Sequence, residues 1–409
     1  MRLSRWPYTA LLLGALVLHP LAAEAAAKGE TVTTADMDGS GDTDIVVLDP
    51  AQQQLDVVWV SKSGDFRLSV KDLSDVADMT AVAAADVNGD GRPDVVVCDG
   101  SASARGVRVL LNDGTGTLAP DVAYASSTVP GLGPVSVTLA DVNGDGLPDI
   151  ITANGSAGTV SVLLNKGGGR FAAPLVFPAG IRPVAVAVAD VNGDGLSDLV
   201  VADASGNSVQ LLLNDGQGGF AAPVSLAVGS HPVAVVAADI DGDGHPDIVV
   251  ADEGDNTAAV LLGHGDGSFA PASFHQTGAE PSWIAAQDLT GNGRLDLLTD
   301  NYNDGSVSLF ANTGRGFGPQ QQLFPAYGSY STVVMDIGGA PQVVSPNVQA
   351  GQVQVTSAAA ALQDGNIAQG TVRHIDGDQD PQSSTGRGAL DILSLILLGL
   401  TGLSRRLSR

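Results

Sequence analysis

Oxygen-bearing side chains recur along the chain in one nine-residue pattern, and the copy from Asp141 to Asp149 is the cleanest. Asp or Asn stands at positions 1, 3, 5 and 9 of this copy, and glycine stands at positions 4 and 6. Calcium takes about six to eight oxygen ligands at about 2.3–2.6 Å, and alternating carboxylates with a backbone carbonyl at position 7 supply most of them. Glycine allows the positive φ angles of a sharp turn around an ion. The pattern therefore predicts a loop that binds one hard cation.

Four copies of the pattern are nearly complete, and we expect each of them to bind Ca²⁺. Their predicted ligands, with the backbone carbonyl at position 7 included, are Asp86, Asn88, Asp90, Arg92, Asp94, Asp141, Asn143, Asp145, Leu147, Asp149, Asp190, Asn192, Asp194, Leu196, Asp198, Asp239, Asp241, Asp243, His245 and Asp247. Two weaker copies are further candidates, with the predicted ligands Asp36, Asp38, Ser40, Asp44, Asp288, Asn292 and Asp296. Because Thr290 replaces an acid or amide in the last of these, we expect that site to be weak or empty. A seventh copy, which begins at Asp336, has lost its other ligands, and we expect no metal there.

Two other interpretations of a single loop compete with calcium binding. Asp, Asn and Gly also form ordinary hairpin turns, so one isolated copy could be a turn and nothing more. An EF-hand begins similarly, but it needs a Glu at position 12 and flanking helices. Thr152 and Val201 stand at that position here, and each loop runs directly into a β-type segment. Repetition at one spacing favours calcium over the simple turn in the four clean copies.

The loops begin at residues 36, 86, 141, 190, 239, 288 and 336, which is a period near 50 residues. Such a period indicates a propeller, a solenoid or an array. Each unit predicts four short strands, and in the fourth unit these are residues 183–190, 197–203, 208–213 and 220–226. We therefore expect an all-β fold, a seven-bladed β-propeller of four-stranded blades. A parallel β-helix is the alternative, although its repeats are usually shorter.

The units resemble FG-GAP/VCBS repeats, the calcium-loop propeller blades that also form the head of integrin α subunits. The likeness rests on the acidic loops, on the strand after each loop, and on the Phe-x-x-Pro pattern within the segments Gly169–Pro174 and Gly219–Pro223. It covers residues 31 to about 373. The resemblance implies a calcium-bearing propeller but no single function, because such blades occur in adhesins, lectins and receptors and as additions to enzymes.

The net charge argues against a nucleic-acid partner, and the N-terminus predicts a secreted protein. The formal net charge is −26, so no basic surface is expected to meet the phosphates of a nucleic acid. Arg2 and Arg5 precede the apolar run from Thr9 to Leu18, and Ala23-Glu-Ala25 fits a signal-peptidase cleavage site. We expect residues 1–27 to be a signal peptide and residues 28–373 to be the propeller. A short membrane anchor is the alternative, but the apolar run is short for a bilayer span.

The C-terminal end has the organisation of a sorting signal. Residues 374–388 predict a polar linker, and residues 389–409 contain the apolar stretch from Ile392 to Leu403 and then an Arg-rich end. The whole is similar to a GlyGly-CTERM tail of Gram-negative bacteria, although Gly386-Arg-Gly388 stands where a Gly-Gly pair is typical. The resemblance implies transient membrane association, cleavage and release to the cell surface or the medium. A buried or amphipathic terminal helix is the alternative.

The sequence carries no nucleophile elbow, no HExxH helix and no P-loop. The single cysteine, Cys98, cannot form an internal disulfide and predicts a buried apolar residue. The histidines that follow the signal segment fall in predicted loops, and we expect them at the surface.

Opposite the acidic loops, the connections between strands 2 and 3 and between strand 4 and the next strand 1 should share one rim. Asp, Asn, Trp and Tyr on that rim suit carbohydrate recognition, and they are also common turn residues.

These observations favour a calcium-binding, non-enzymatic binding or adhesion module. We expect a monomer, secreted or displayed on the outer surface of a Gram-negative bacterium, with an extracellular glycan or protein as its ligand and no nucleic-acid partner. A glycan-active enzyme such as a polysaccharide lyase is one alternative, and a structural or assembly protein of the cell envelope is another. We predict no catalytic residue and no organic cofactor.

Overall fold

In a computed structural model, the described residues are 32–41, 43–50, 53–60, 66–76, 78–100, 106–115, 117–126, 133–216, 218–323, 333–336, 341–347 and 352–357. The predicted signal peptide, the polar linker and the C-terminal tail lie outside these residues. Within them, no helix is long and apolar enough to cross a bilayer.

The chain folds into consecutive antiparallel sheets, each a simple meander in which neighbouring strands follow one another in sequence. Sheet 1 contains β1 (Val32–Ala35), β2 (Asp44–Asp49), β3 (Gln54–Val60) and β4 (Phe66–Asp72). Sheet 2 contains β5 (Met79–Ala85), β6 (Asp94–Asp99), β7 (Gly106–Leu110) and β8 (Val122–Ala125). Sheet 3 contains β9 (Ser136–Ala140), β10 (Asp149–Asn154), β11 (Thr159–Leu163) and β12 (Leu175–Pro178), with a short 3₁₀ turn at Gly155–Ala157.

The second half of the chain continues the same arrangement. Sheet 4 contains β13 (Pro183–Ala189), β14 (Asp198–Asp203), β15 (Ser208–Leu212) and β16 (Val224–Ala227). Sheet 5 contains β17 (Pro232–Ala238), β18 (Asp247–Asp252), β19 (Thr257–Leu261) and β20 (Ser273–Gln276). Sheet 6 contains β21 (Pro281–Gln287), β22 (Asp296–Asn301), β23 (Ser306–Phe310) and β24 (Gln321–Leu323). Sheet 7 has three described strands, β25 (Val333–Asp336), β26 (Pro341–Asn347) and β27 (Gln352–Ser357).

The first strands of sheets 1 to 6 lie beside one another in chain order, so each sheet packs face to face on the next. The fourth strands are the most exposed, as β12 and β16 show. This arrangement, with first strands inside and fourth strands outside, is that of a propeller. The predicted all-β fold with four-stranded blades is therefore confirmed for sheets 1 to 6.

The core consists of separate apolar layers between neighbouring sheets. The two faces of β14 show this, because Leu199 and Val201 pack against sheet 3 while Val200 packs against sheet 5. All six residues of β14 are buried. Side chains alternate between the two faces of a strand, so a strand buried on both faces needs a continuous apolar run. The second strands, whose central residues are mostly Val, Ile and Leu, satisfy this requirement.

The boundaries differ from the sequence expectation mainly at the fourth strand. In sheet 4 it begins at Val224 rather than at Phe220. Phe220 instead forms an isolated bridge with Asn214 at the preceding turn, and Pro223 has no N–H to donate to a strand ladder. In the last unit, the strands expected near Pro341 and Gln352 are present as β26 and β27.

Candidate cation-binding loops and the opposite rim

The six acidic nine-residue loops connect the first strand of a sheet to its second strand. We number them loops 1 to 6 in the order of their sheets, and they occupy residues 36–44, 86–94, 141–149, 190–198, 239–247 and 288–296. The ninth residue of each loop begins the second strand. All six loops therefore lie at the same end of their sheets.

The first Asp of each loop organises the turn through main-chain hydrogen bonds. In loop 3, Asp141 Oδ1 accepts the N–H groups of Gly144 at 2.7 Å and Asp145 at 3.2 Å, and Asp141 Oδ2 accepts that of Gly146 at 2.8 Å. Gly144 and Gly146 have φ angles of 76° and 85°, which L side chains rarely adopt. These bonds gather the polar side chains of the loop around one point.

The remaining oxygens of loop 3 are held in the same way. Asn143 Oδ1 accepts the N–H of Asp145 at 2.9 Å, and Asp145 Oδ1 accepts the N–H of Leu147 at 2.9 Å. The main-chain nitrogen of position 7 is thereby anchored to the side chain of position 5. The same bond to position 7 occurs at Arg92, Leu196 and His245.

The ninth residue of each loop has a second role. Asp149 is fully buried, and its two carboxylate oxygens accept the N–H groups of Val142 at 3.1 Å and Asn165 at 2.7 Å. Burial raises the pKa of Asp149 to about 6, against the lowering effect of these two bonds, and neighbouring Asp145 and Asp141 raise it further. A bound cation would offset this electrostatic cost.

The same burial acts on the ninth residue of other loops. It raises the pKa of Asp94 to about 6, and it raises the pKa values of Asp198 and Asp247. Each of these carboxylates also accepts main-chain N–H bonds that lower its pKa, two at Asp94 and Asp198 and three at Asp247. The repeated arrangement concentrates negative charge where each loop closes.

The donor set fits a hard cation. In loop 5, one carboxylate oxygen from each of Asp239, Asp241 and Asp247 lies within 4.8 Å of the others, and Asp36, Asp38 and Asp44 form the same group in loop 1. Two oxygens that share a calcium ion at about 2.4 Å can be at most about 4.8 Å apart. These two sets of predicted ligands are therefore brought together. Loop 1 is a weaker copy by sequence, but its three carboxylate oxygens meet the same 4.8 Å limit as those of loop 5.

Loop 6 differs from the others in two hydrogen-bonding details. The amide nitrogen of Asn292 donates to the main-chain carbonyl of Asn312 at 2.9 Å, where clean loops carry an Asp. The hydroxyl oxygen of Thr290 is buried and has no hydrogen-bond partner among the described residues. Asp288 still accepts the N–H groups of Asn292 and Gly293, so the turn itself is retained.

Four buried asparagines that the sequence analysis did not single out connect these loops. Each follows the third strand of its sheet, and we call them the bridging asparagines: Asn112, Asn165, Asn214 and Asn312. Their only sequence signal is a recurrent Asn-x-Gly after that strand. The side-chain nitrogen of each donates to a main-chain carbonyl in the acidic loop of the preceding sheet.

At the opposite end of the sheets, the two predicted sets of connections meet as expected. The N–H of Glu253, which follows β18, donates to the carbonyl of His231, which precedes β17, at 3.1 Å. The N–H of Tyr302 donates to the carbonyl of Glu280 at 2.8 Å. The prediction that these connections share one rim is therefore confirmed.

The best-defined polar pair on this rim is His231 with Glu253. Nδ1 of His231 lies 2.5 Å from Oε2 of Glu253, and both side chains are half-buried. Sequence reasoning did not identify this pair. Nearby, the amide nitrogen of Asn303 donates to Glu280 at 3.3 Å.

The rim backbone is strained at repeated positions. His231 and Glu280 have φ angles of 54° and 57°, which non-glycine residues seldom adopt. Each is held by an asparagine of the preceding sheet, because Asn207 and Asn256 accept their N–H groups at 2.9 Å and 2.7 Å. Strained residues of this kind cluster at ligand sites, so they mark the rim as a candidate binding surface.

Two expectations about single residues have opposite outcomes. Cys98 is fully buried, as expected. His275, expected in a surface loop, instead lies in β20 and packs edge-on against Phe310 and Phe317. Burial lowers the pKa of His275. The sequence analysis did not predict a strand at His275, because few apolar residues flank it in the sequence.

Comparison with solved structures finds proteins of similar fold and low sequence identity. A lectin from Agrocybe aegerita that recognises non-reducing terminal N-acetylglucosamine is 21% identical, with a TM-score of 0.55, over 84% of this chain and 93% of the lectin. BBS1N, solved in complex with ARL6DN, is 13% identical, with a TM-score of 0.55 and coverages of 78% and 89%. Virginiamycin B lyase from Staphylococcus aureus is 11% identical, with a TM-score of 0.53 and coverages of 77% and 95%. No curated protein sequence matches the chain.

Sequence comparison with family models is more specific than these structural likenesses. The FG-GAP-like repeat matches five times, at residues 36–97, 99–152, 141–201, 190–250 and 239–299. The matches together span more than half of the chain, and four of the five begin at the first Asp of an acidic loop. The chain therefore belongs to the FG-GAP-like repeat family of β-propeller proteins.

Proposed function

We propose that this chain is a secreted, seven-bladed β-propeller that binds calcium in its acidic loops and binds an extracellular glycan or protein at the opposite rim. Calcium has the structural role and supplies positive charge to loops that otherwise hold several carboxylates close together. Sheet 7 provides the last blade in this proposal. The N-terminal and C-terminal segments direct the protein to the outer surface of a Gram-negative cell.

One observation carries the calcium assignment. The acidic loops repeat at the same end of six consecutive sheets, and in loops 1 and 5 three carboxylate oxygens lie within 4.8 Å of one another. Turn formation alone does not require this, because a plain turn needs no cluster of like charges. Such a cluster is destabilising without a cation and becomes a ligand set with one.

A thermal melt of the full-length chain tests this assignment. We expect Ca²⁺ to raise the melting temperature strongly relative to excess chelator, and Mg²⁺ at the same concentration to raise it less. Each site stabilises the fold by about 2.7 kcal/mol when the free ion is at about 100 times its Kd. Equal melts with calcium and with chelator would show that the loops are turns.

The rim assignment rests on the strained positions of His231 and Glu280 and on the polar groups around them. Carboxylate and amide oxygens there can bond sugar hydroxyls, and Tyr302 offers an aromatic ring for a sugar face. Trp283, which was also expected on the rim, packs instead against the core of sheet 6. Screening the calcium-loaded protein on a glycan array, and in parallel on extracellular matrix proteins, tests for a ligand. The rim is the binding surface if Glu280→Ala abolishes capture while Lys166→Ala, at the loop end, does not.

A second candidate is a glycan-active enzyme, and the His231–Glu253 pair is the observation that favours it. A carboxylate that bonds one ring nitrogen of a histidine orients the other nitrogen for general-base work. Incubation with acidic polysaccharides tests this candidate, with formation of unsaturated products as the readout. Products that form with the wild type but not with His231→Ala would favour the enzyme over the binding module.

A further inference from the structure

The side-chain nitrogen of Asn214 donates to two neighbouring acidic loops. Its Nδ2 donates to the carbonyl of Val142 in loop 3 at 2.7 Å and to that of Ser197 in loop 4 at 2.8 Å. Its Oδ1 accepts the N–H of Gly216 at 2.9 Å. Its main-chain N–H donates to Asp198 Oδ1, in loop 4, at 2.8 Å. A buried amide satisfied in this way holds both loops in one arrangement.

The contact made with loop 3 leads directly to a predicted ligand. The carbonyl that Asn214 bonds belongs to Val142, and the N–H of Val142 donates to Asp149 Oδ2 at 3.1 Å. Asp149 is the ninth residue of loop 3. Asn214 therefore connects Asp198 of loop 4 to Asp149 of loop 3. The path consists of three hydrogen bonds and passes through Val142.

The same connection recurs around the molecule. Asn165 joins Asp149 to Val87, whose N–H donates to Asp94. The next link runs from Asp94 through Asn112 and Met37 to Asp44. Loops 1 to 4 are thus joined in one continuous series of hydrogen bonds, and Asn312 joins loop 6 to loop 5 through Ile240 and Asp247.

The series is interrupted between loops 4 and 5. Gly263 stands where sheets 2, 3, 4 and 6 have a bridging asparagine, and its N–H donates to Asp247 at 2.7 Å. With no side chain, it cannot reach the preceding loop. The carbonyl of Val191 in loop 4 instead accepts the N–H of Gly267, in the turn beyond, at 3.1 Å. Asp247 and loop 4 therefore share no bridging residue.

We propose that the bridging asparagines are positioning residues that couple neighbouring cation sites, so that loops 1 to 4 bind cations as one cooperative group and loops 5 and 6 as a second. This rests on the proposed function, because it requires that the loops bind calcium. A cation in loop 4 holds Asp198 in place, and with it the backbone of Asn214. The Asn214 amide then holds the Val142 peptide, which orients Asp149 for the cation in loop 3.

Calcium titration monitored by hydrogen–deuterium exchange and mass spectrometry tests the coupling, because it reads each loop of the full-length chain separately. The change is Asp190→Asn, which removes the negative charge of the first ligand of loop 4 but keeps an oxygen there. We expect the calcium midpoint for protection of loop 3 to rise at least about fivefold, the lower end of typical site coupling. In an Asn214→Gly background, the same change should leave the loop 3 midpoint where it was.

The chain supplies its own control at the interruption. Asp239→Asn removes the negative charge of the first ligand of loop 5, and we expect the loop 4 midpoint to change by less than about twofold, because Gly263 provides no bridge. Asn214→Gly introduces a residue that the fold already accepts at Gly263. Should that variant fail to fold by circular dichroism, the comparison of Asp190→Asn with Asp239→Asn, in which every bridging asparagine is native, decides by itself.

The outcomes separate this inference from the proposed function. If no loop shows calcium-dependent protection, the calcium assignment itself is wrong, and the proposed coupling is wrong as well. If Asp190→Asn abolishes protection of loop 4 but leaves the loop 3 midpoint unchanged, the calcium assignment stands and the coupling is overturned. Equal shifts across the bridged and the unbridged pair would also overturn it, since the asparagines would then make no difference.

Discussion

The side-chain nitrogen of Asn165 lies 2.9 Å from the carbonyl oxygen of Val87, which is 78 residues earlier in the chain and belongs to the acidic loop of the preceding sheet. The same nitrogen lies 2.9 Å from the carbonyl oxygen of Pro148, in the loop of its own sheet. One amide group therefore fastens two repeats together at their loop ends. Apolar layers hold the sheets along their length, and these amides add a directional contact.

Replacing Asn165 with Ala should destabilise the protein even without calcium. The change leaves the carbonyls of Val87 and Pro148 and the N–H of Gly167 without their partner, and each unsatisfied buried group costs about 1–3 kcal/mol. We expect a melting temperature lower by about 5 °C or more in chelator. Lys166→Ala, at the exposed neighbouring residue, is the control and should change stability by less than about 0.5 kcal/mol. Similar melts for both variants would contradict the role of the amide.

Asp145 and Asp149 should respond differently to removal, although both are predicted ligands of loop 3. Asp149 is buried and accepts two main-chain N–H groups, so Asp149→Ala should lower the melting temperature in chelator. Asp145 is exposed, so Asp145→Ala should leave that melt nearly unchanged and reduce only the stabilisation by calcium. Paired melts with and without calcium measure both effects. An equal loss for both variants in chelator would show that Asp145 is also structural.

Acidification should stabilise the calcium-free protein in part through Asp252. This carboxyl is fully buried, its Oδ1 has no hydrogen-bond partner among the described residues, and burial raises its pKa to about 7 from an ordinary 3.8. Because the folded-state pKa is the higher one, the stability that this group contributes is complete below about pH 4 and is lost as the pH rises through 7. Asp252→Asn should therefore be more stable than the wild type near about pH 8, and the difference should shrink towards about pH 5.

Asp203 provides the matched control, since it ends the second strand of sheet 4 as Asp252 does in sheet 5. Its oxygens accept the N–H groups of Ile181, Arg182 and Gly206, so both oxygens of this carboxylate have hydrogen-bond donors. Asp203→Asn should give no gain in stability near about pH 8. Chelator-treated melts of both variants across this pH range provide the measurement. A gain with both, or with neither, would mean that Asp252 has no special part in the pH dependence.

Loop 6 should gain calcium affinity from one substitution. Thr290 occupies position 3, where loops 1 and 5 carry Asp38 and Asp241, and its hydroxyl is buried without a partner among the described residues. Thr290→Asp supplies a carboxylate at that position, and we expect isothermal titration to detect tighter binding or one more bound ion per chain. Thr290→Val, which removes the hydroxyl and keeps the shape, is the control. Equal binding by the two variants would place position 3 of this loop outside the ligand set.

The sequence by itself determined the repeat, the strands and the acidic loops, because these depend on residues close together in the chain. In loop 3, Asp141, Asn143 and Asp145 alternate with glycines, and the bonds that shape the turn join residues two to five positions apart. Buried second strands are equally visible, since a strand covered on both faces needs an uninterrupted apolar run. Every signal of this kind lies within one repeat.

Only the tertiary structure decided which polar groups meet across repeats. Asn214 lies 72 residues from Val142, and His231 lies 22 residues from Glu253, so neither pairing follows from local spacing. As Asn-x-Gly, the bridging asparagines are indistinguishable in sequence from ordinary turn residues. Their role arises when packing sets each sheet against its neighbour and leaves buried main-chain carbonyls that require a donor.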